Sequence, residues 1–216
     1  MLSAKALVKY AVSRKKLQPG HAVQFVKTPE RLERLPWIPS PGDFEKILGS
    51  VNTQTQTGLR NWLVVSLLAE TGMTIAELCG LRWDACGEGF VSVEGKRPRR
   101  LAISAFAATR LLDWRSKISA PSSSSSLRAG KYLFPGFNRH GITSEKMTPR
   151  GVELFFRHLT KASGFRLLKP KTLRHYCIVD WLRQGVAESE IQKRLGVHAY
   201  YSLAEYKKVL EREQSL

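Results

Sequence analysis

Acidic side chains are scarce: 18 Asp and Glu stand against 35 Lys and Arg in 216 residues, a formal net charge of +17. Such an excess sets up a field that draws in polyanions. Nucleic acid is the leading partner class, ahead of anionic membranes and acidic proteins. Cysteine is also scarce. Cys79, Cys86 and Cys177 are an odd number with no CxxC spacing, which excludes a disulfide scaffold and favours buried thiols in a reducing cytosol. The five histidines are scattered and form no ligand motif with the cysteines, so no metal site is expected. No run of eighteen uncharged apolar residues exists, so no membrane span is expected. Met1 to Lys15 is basic and lacks a long apolar region, which argues against a signal peptide. With 43% hydrophobic and 25% charged residues, the chain reads as an ordinary soluble globular protein. Its length suffices to bury roughly 70% of the unfolded surface without metal or disulfide support.

Hydrophobic periodicity predicts mostly helix. Residues 3–15 form a basic helix, and 17–39, with Pro19, Gly20, Pro29, Pro36 and Pro39, an extended linker. Ser40 caps a helix that begins at Pro41. Residues 59–70 are apolar nearly all round, the mark of a core helix; Thr71-Gly72-Met73 ends it. Thr74-Ile75-Ala76-Glu77 has the capping-box pattern and opens a short helix through Leu81. The period then changes to two over Phe90–Glu94 and again over Leu101–Ser104, with Gly95-Lys96-Arg97-Pro98-Arg99-Arg100 between: a β-hairpin with a basic tip. Helix returns over 105–117, with Ala107, Leu111 and Trp114 on one face. The run Ser122–Ser126 is a low-complexity loop. Thr148-Pro149 opens a helix through about Ala162, and three short helices follow, at about 171–184, 188–195 and 201–213, broken at Gly185 and Gly196.

Four segments, in this order, resemble the catalytic domain of the tyrosine recombinases, the phage-integrase family, from about Ser40 to about Leu210. Residues 61–83 (NWLVVSLLAETGMTIAELCGLRW) are similar to the helix–turn–helix that presents the family's first catalytic arginine. Residues 90–104 resemble its hairpin with a catalytic lysine. Residues 169–183 (KPKTLRHYCIVDWLR) resemble the helix with the His-x-x-Arg signature, and 195–206 (LGVHAYYSLAEY) the stretch from the last histidine to the nucleophilic tyrosine. The resemblance implies attack on a DNA phosphodiester by a tyrosine, storing the bond as a 3′-phosphotyrosine. Guanidinium groups hold the phosphoryl oxygens where charge builds. A lysine protonates the leaving 5′-oxygen and a histidine manages the tyrosine proton. Such chemistry uses no metal and no nucleotide cofactor, and the sequence carries no P-loop or metal spacing.

Residue by residue, the resemblance makes Tyr206 the nucleophile, nine residues after Val197, and Arg174 the arginine of His-x-x-Arg. Lys96 matches the hairpin lysine, and Glu77 a glutamate that buttresses the site. His175 matches the following histidine, which is structural in the family as a rule, and is grouped here with the DNA-binding residues Arg97, Arg99, Arg100, Arg166 and Lys169. On the residues alone, Tyr206 also reads as a packing tyrosine, Lys96 as a solvated turn cation and Glu77 as a capping residue. Three positions depart from the pattern. Thr74 stands where the first arginine is expected, Lys171 where the first histidine is, and Val197 where the last histidine is, with His198 displaced by one. Thr74 offers one hydrogen bond and no charge; losing one such donor costs about 10²–10³ in rate.

The resemblance therefore implies a mainly α fold with a small antiparallel β-hairpin or sheet (α+β). Residues 1–39 would be the last helix of a core-binding domain plus linker, and 40–216 the catalytic domain. The expected partner is double-stranded DNA, with a further copy or another recombinase subunit reached through the C-terminal helix, and the expected location is cytoplasmic and nucleoid-associated. Three functions stay open: a DNA-binding recombinase-fold protein with weakened or lost cleavage, an active divergent recombinase using Lys96, Lys171 and His198, and a non-catalytic regulator of a recombinase partner.

Overall fold

The computed structural model describes residues 10, 12–14, 16, 35–119, 130–138 and 141–214. The chain divides into two units, Met1–Arg34 and Leu35–Leu216. The helix expected over 3–15 lies for the most part outside the described residues, as does the linker before Leu35; within the first unit, Arg14 N–H bonds Tyr10 O at 3.0 Å, one helical turn. Trp37 and Ile38, read as linker, belong to the second unit, where Trp37 stacks on Phe165 with ring centroids 5.4 Å apart.

The second unit is mainly helical. Helix α1 (Pro41–Gly49) has Ser40 as N-cap in a reciprocal capping box with Asp43. Helix α2 (Gln56–Thr71) starts one turn earlier than the apolar pattern alone indicates, because Thr55 Oγ1 accepts from Gly58 N–H and secures the first turn. It is buried along most of its length, so the core is built around it. Gly72 ends it in the left-handed region (φ 59°), and a Cβ there would meet Leu195 at 3.0 Å and Cys177 at 3.3 Å, so both conformation and space call for glycine. Helix α3 (Ile75–Gly80) follows at once.

A 3₁₀ turn (Trp83–Ala85) leads into a three-stranded antiparallel sheet of β1 (Cys86–Gly87), β2 (Phe90–Val93) and β3 (Arg99–Ala102), with Val91 opposite Leu101 and Val93 opposite Arg99. Val91, Val93 and Leu101 are its buried residues. Helix α4 (Ala105–Ser119) places Ala107, Leu111, Trp114 and Ile118 inward, and the Trp114 indole N–H bonds Leu133 O at 2.8 Å. A second hairpin, β4 (Gly136–Asn138) and β5 (Gly141–Ser144), precedes α5 (Pro149–Ser163), whose N-cap is Thr148.

Helix α6 (Pro170–Arg183) is buried nearly all round. Its Leu173 and Tyr176 belong to the main core. Cys177, Ile178 and Trp181 belong to a second cluster with Ile191 and Leu195 of α7 (Glu188–Leu195), Leu203, and Tyr206 of α8 (Ala204–Gln214). The last helix starts at Ala204, three residues later than the sequence pattern places it, because His198–Leu203 form a turn that closes with Tyr201 N–H on His198 O. This architecture, helices around small antiparallel sheets, is the expected one.

Candidate active site

Two of the expected segments, 61–83 and 90–104, meet at one carboxylate. Thr74 is the N-cap of α3, and its backbone N–H and hydroxyl both donate to Oε2 of Glu77, at 2.7 and 3.0 Å. The other oxygen, Oε1, accepts from Nη1 of Arg99 at 2.8 Å. Burial pushes the Glu77 carboxyl up, but the hydrogen bonds from Arg99 and Thr74 outweigh it and hold the group below the ordinary carboxylate value.

Arg174, in the second turn of α6, donates through Nη1 to Gly72 O and through Nη2 to Leu195 O at 3.3 Å. Those carbonyls are the orphan ends of α2 and α7, so one guanidinium joins three helices. Burial lowers its pKa, and the nearby Glu77 charge works against that shift. A guanidinium has five donors, so Arg174 keeps donors beyond the two that tie it to Gly72 O, two residues before Thr74, and to Leu195 O.

The hairpin is clamped onto the end of α7. Arg97 sits in the bend of the hairpin and Arg99 opens β3. Arg97 Nη1 donates to Gly196 O at 2.6 Å, and its Nη2 lies 2.6 Å from Nε2 of His198. Arg99 Nε donates to Arg194 O at 2.6 Å, and its side chain is only 7% exposed. The two were expected among DNA-facing tip cations; burial and these bonds make Arg99 an internal group and commit Arg97 to the α7 end. Lys96 and Arg100 remain exposed, Arg100 with its guanidinium 4.0 Å from the centre of the Phe90 ring.

Tyr206 is buried, and its hydroxyl sits 2.7 Å from Nδ1 of His175 and 3.2 Å from the hydroxyl of Tyr201. His175, grouped above with the DNA-binding residues, is buried too; it faces the second cluster because it follows Arg174 by one residue and so turns about 100° around α6. Val197 is half-buried and packs against the second cluster, whereas His198 is exposed, stacks on Tyr200 (centroids 4.9 Å apart), and shares a pocket of about 370 Å³ with Arg97, Tyr200 and Tyr201.

Lys171, Arg166 and Lys169 are exposed, and Lys171, three residues before Arg174, shares its side of α6. Lys96 and Lys171 make no hydrogen bond or ion pair with the described residues. The structure thus bonds Thr74, Glu77 and Arg99 into one set, brings Arg174 near enough to feel the Glu77 charge, and joins Tyr206 to His175 and Tyr201. Sequence reasoning missed the inward roles of Arg97 and Arg99 and the hydroxyl pair of Tyr201 and Tyr206. Chemically, the arrangement offers a half-buried cation, exposed lysines and a phenol next to an imidazole, and no described group of residues could hold a metal ion.

Comparison with known proteins gives consistent results. Residues 40–212 match the family described as the phage integrase family. The chain is 30% identical over 177 residues to the tyrosine recombinase XerD of Listeria monocytogenes, covering 79% of this chain and 57% of that protein. It is also 30% identical over 176 residues to the tyrosine recombinase XerC of Xylella fastidiosa, covering 79% and 55%. It therefore spans about half the length of the curated relatives it matches. Among solved structures, the XerA recombinase superposes with a TM-score of 0.64 at 20% identity, covering 98% of this chain and 74% of that one. The XerH site-specific recombinase bound to its difH substrate superposes at 0.61 and 22%, covering 85% and 53%.

Proposed function

Because this chain belongs to the phage integrase family, the tyrosine recombinases of site-specific recombination, we propose that it binds duplex DNA in such a reaction with strand cleavage weakened or lost. Tyr206 would be the nucleophile, Arg174 the oxyanion-binding guanidinium and Lys96 the acid for the leaving 5′-oxygen. One observation carries the weakened reading. At Thr74, where the family pattern calls for an arginine, a short hydroxyl is turned onto Glu77 and caps α3. A neutral side chain there removes one preorganised charge from the transition state, about 10²–10³ in rate. DNA binding draws on the +17 charge and on the exposed Lys96, Arg100, Arg166, Lys169 and Lys171.

A second reading, an active divergent enzyme, is favoured by Arg99: its guanidinium shares the Glu77 carboxylate with Thr74 and so stands one carboxylate away from the missing charge. The regulator reading gains no such support, since α8 packs through Tyr206, with Leu203 just before it, onto α6 of its own chain.

A suicide-substrate assay separates the two. Nicked duplex DNA is incubated with the protein and scored for covalent adduct, with Tyr206→Phe as the zero. Weakened cleavage predicts duplex binding with little or no adduct; fast adduct formation by the wild type would overturn it in favour of the second reading.

A further inference from the structure

A second cationic site lies away from the residues around Glu77. Arg60, in the second turn of α2, is 7% exposed. Its Nε and Nη2 both donate to the neutral amide oxygen Oδ1 of Asn61, at 3.1 and 2.8 Å. Its guanidinium carbon is 5.7 Å from the centre of the Phe137 ring. No carboxylate among the described residues pairs with it. Burial alone lowers its pKa, to about 10, so it stays charged at neutral pH. A buried charge without a counter-ion disfavours the folded state, and among the described residues only the neutral Asn61 amide and the Phe137 ring offset this one.

Arg60 lines a pocket of about 440 Å³ between α2, the β4–β5 hairpin and the start of α5. Thr57, Asn61, Thr143, Ser144 and His158 add polar groups to a lining that also holds Phe137, Met147, Leu154 and Phe155. A cation backed by hydroxyl and amide donors matches a tetrahedral oxyanion, and guanidinium geometry suits two phosphoryl oxygens at once. From Arg60 to Gly72 the helix rises about 18 Å, roughly five base-pair steps of a duplex. That separates the pocket from the set around Glu77 yet keeps both within the length of one short DNA site.

We propose that this pocket is a phosphate-binding site for duplex DNA, in which Arg60 pairs with a backbone phosphate several base pairs from the position where strands would be cleaved. The proposal rests on DNA being the partner, as argued above. It gives a role to a buried charge with which no carboxylate among the described residues pairs.

Arg60→Met tests it, because the two roles of the residue give opposite signs. As a ligand-binding charge, Arg60 is a burden on the free protein, so Arg60→Met keeps or raises the Tm without DNA. The variant also loses about 0.9 from the slope of log affinity against log salt on a random-sequence duplex, the share of one phosphate. Inorganic phosphate raises the Tm of the wild type and leaves that of Arg60→Met unmoved. Arg60→Lys, which keeps the charge, retains most of the slope. A lowered Tm in Arg60→Met would make the residue a packing group of α2 and overturn the proposal; so would an unchanged salt slope beside a wild type that binds duplex in a salt-dependent way. If the wild type binds no duplex at low salt, the DNA reading itself falls, and this site with it.

Discussion

Nη1 of Arg99 lies 2.8 Å from Oε1 of Glu77, and the other oxygen of that carboxylate holds Thr74. The pair joins the hairpin to the start of α3, two segments 22 residues apart in the chain. Arg99→Met should therefore lower stability by about 2–3 kcal/mol. That is short of the roughly 3–5 kcal/mol of a fully buried pair, because Glu77 keeps 25% of its side chain in water. Urea unfolding of the full chain measures it; a change under about 0.5 kcal/mol, the size of an ordinary surface substitution, contradicts the assignment.

The same carboxylate sets a pH dependence. The pKa of Glu77 is lower in the folded chain than its ordinary value, so the folded state binds its proton less readily than the unfolded state does. The stability it contributes is present above the unfolded value, about 4.3, and is lost as pH falls through the folded value. Unfolding curves from about pH 6 to pH 3 should fall less steeply in Glu77→Gln than in the wild type.

Thr74→Arg should raise covalent adduct on a nicked duplex by up to about 10²–10³, if wild-type cleavage is weak rather than absent. The variant also removes the N-cap of α3, at about 0.5–2 kcal/mol, so adduct is compared at equal folded fraction. Adduct formation that Thr74→Arg leaves unchanged would mean that Arg99 or another group already supplies the charge.

Tyr206 and Tyr201 present two hydroxyls 3.2 Å apart, and peptide mapping of the adduct distinguishes them. The expected attachment is Tyr206, with Tyr201→Phe still forming adduct. Tyr206→Phe abolishes adduct and costs about 1–3 kcal/mol of stability, since it strips a hydrogen-bond partner from the buried His175. Adduct that persists in Tyr206→Phe and maps to Tyr201 would reassign the nucleophile.

Gly196 has φ 63°, and a Cβ on it would come within 2.8 Å of Arg99 Nη1. Gly196→Ala should cost about 1–2 kcal/mol for the left-handed backbone and push Arg99 off Glu77. Its effect should then be non-additive with that of Glu77→Gln, by about 0.5–3 kcal/mol in a double-mutant cycle.

Much of this protein was legible in its residues, for local physical reasons. The capping patterns at Ser40, Thr74 and Thr148 mark helix starts because the cap is a bond to the next turn. Residues 59–70 declare a core helix because no polar face is left to meet water. The period-two runs on either side of Gly95 declare the hairpin, and the order of segments ending in Tyr206 places the chain in its family. Other features were hidden because they depend on what arrives from elsewhere. The β4–β5 hairpin, with strands of three and four residues, is too short for alternation to show. Nothing local turns Arg97, in the hairpin bend, or Arg99, at the start of β3, inward; the docking of α7 does, where Gly196 O and Arg194 O receive them. His175 reads as one more basic residue beside Arg174 until α8 folds across α6 and sets the Tyr206 hydroxyl on its ring. The +17 charge was fixed by composition, yet which of the described cations face solvent and which are buried was decided by packing. Burial is a property of the whole fold, and no single segment carries it.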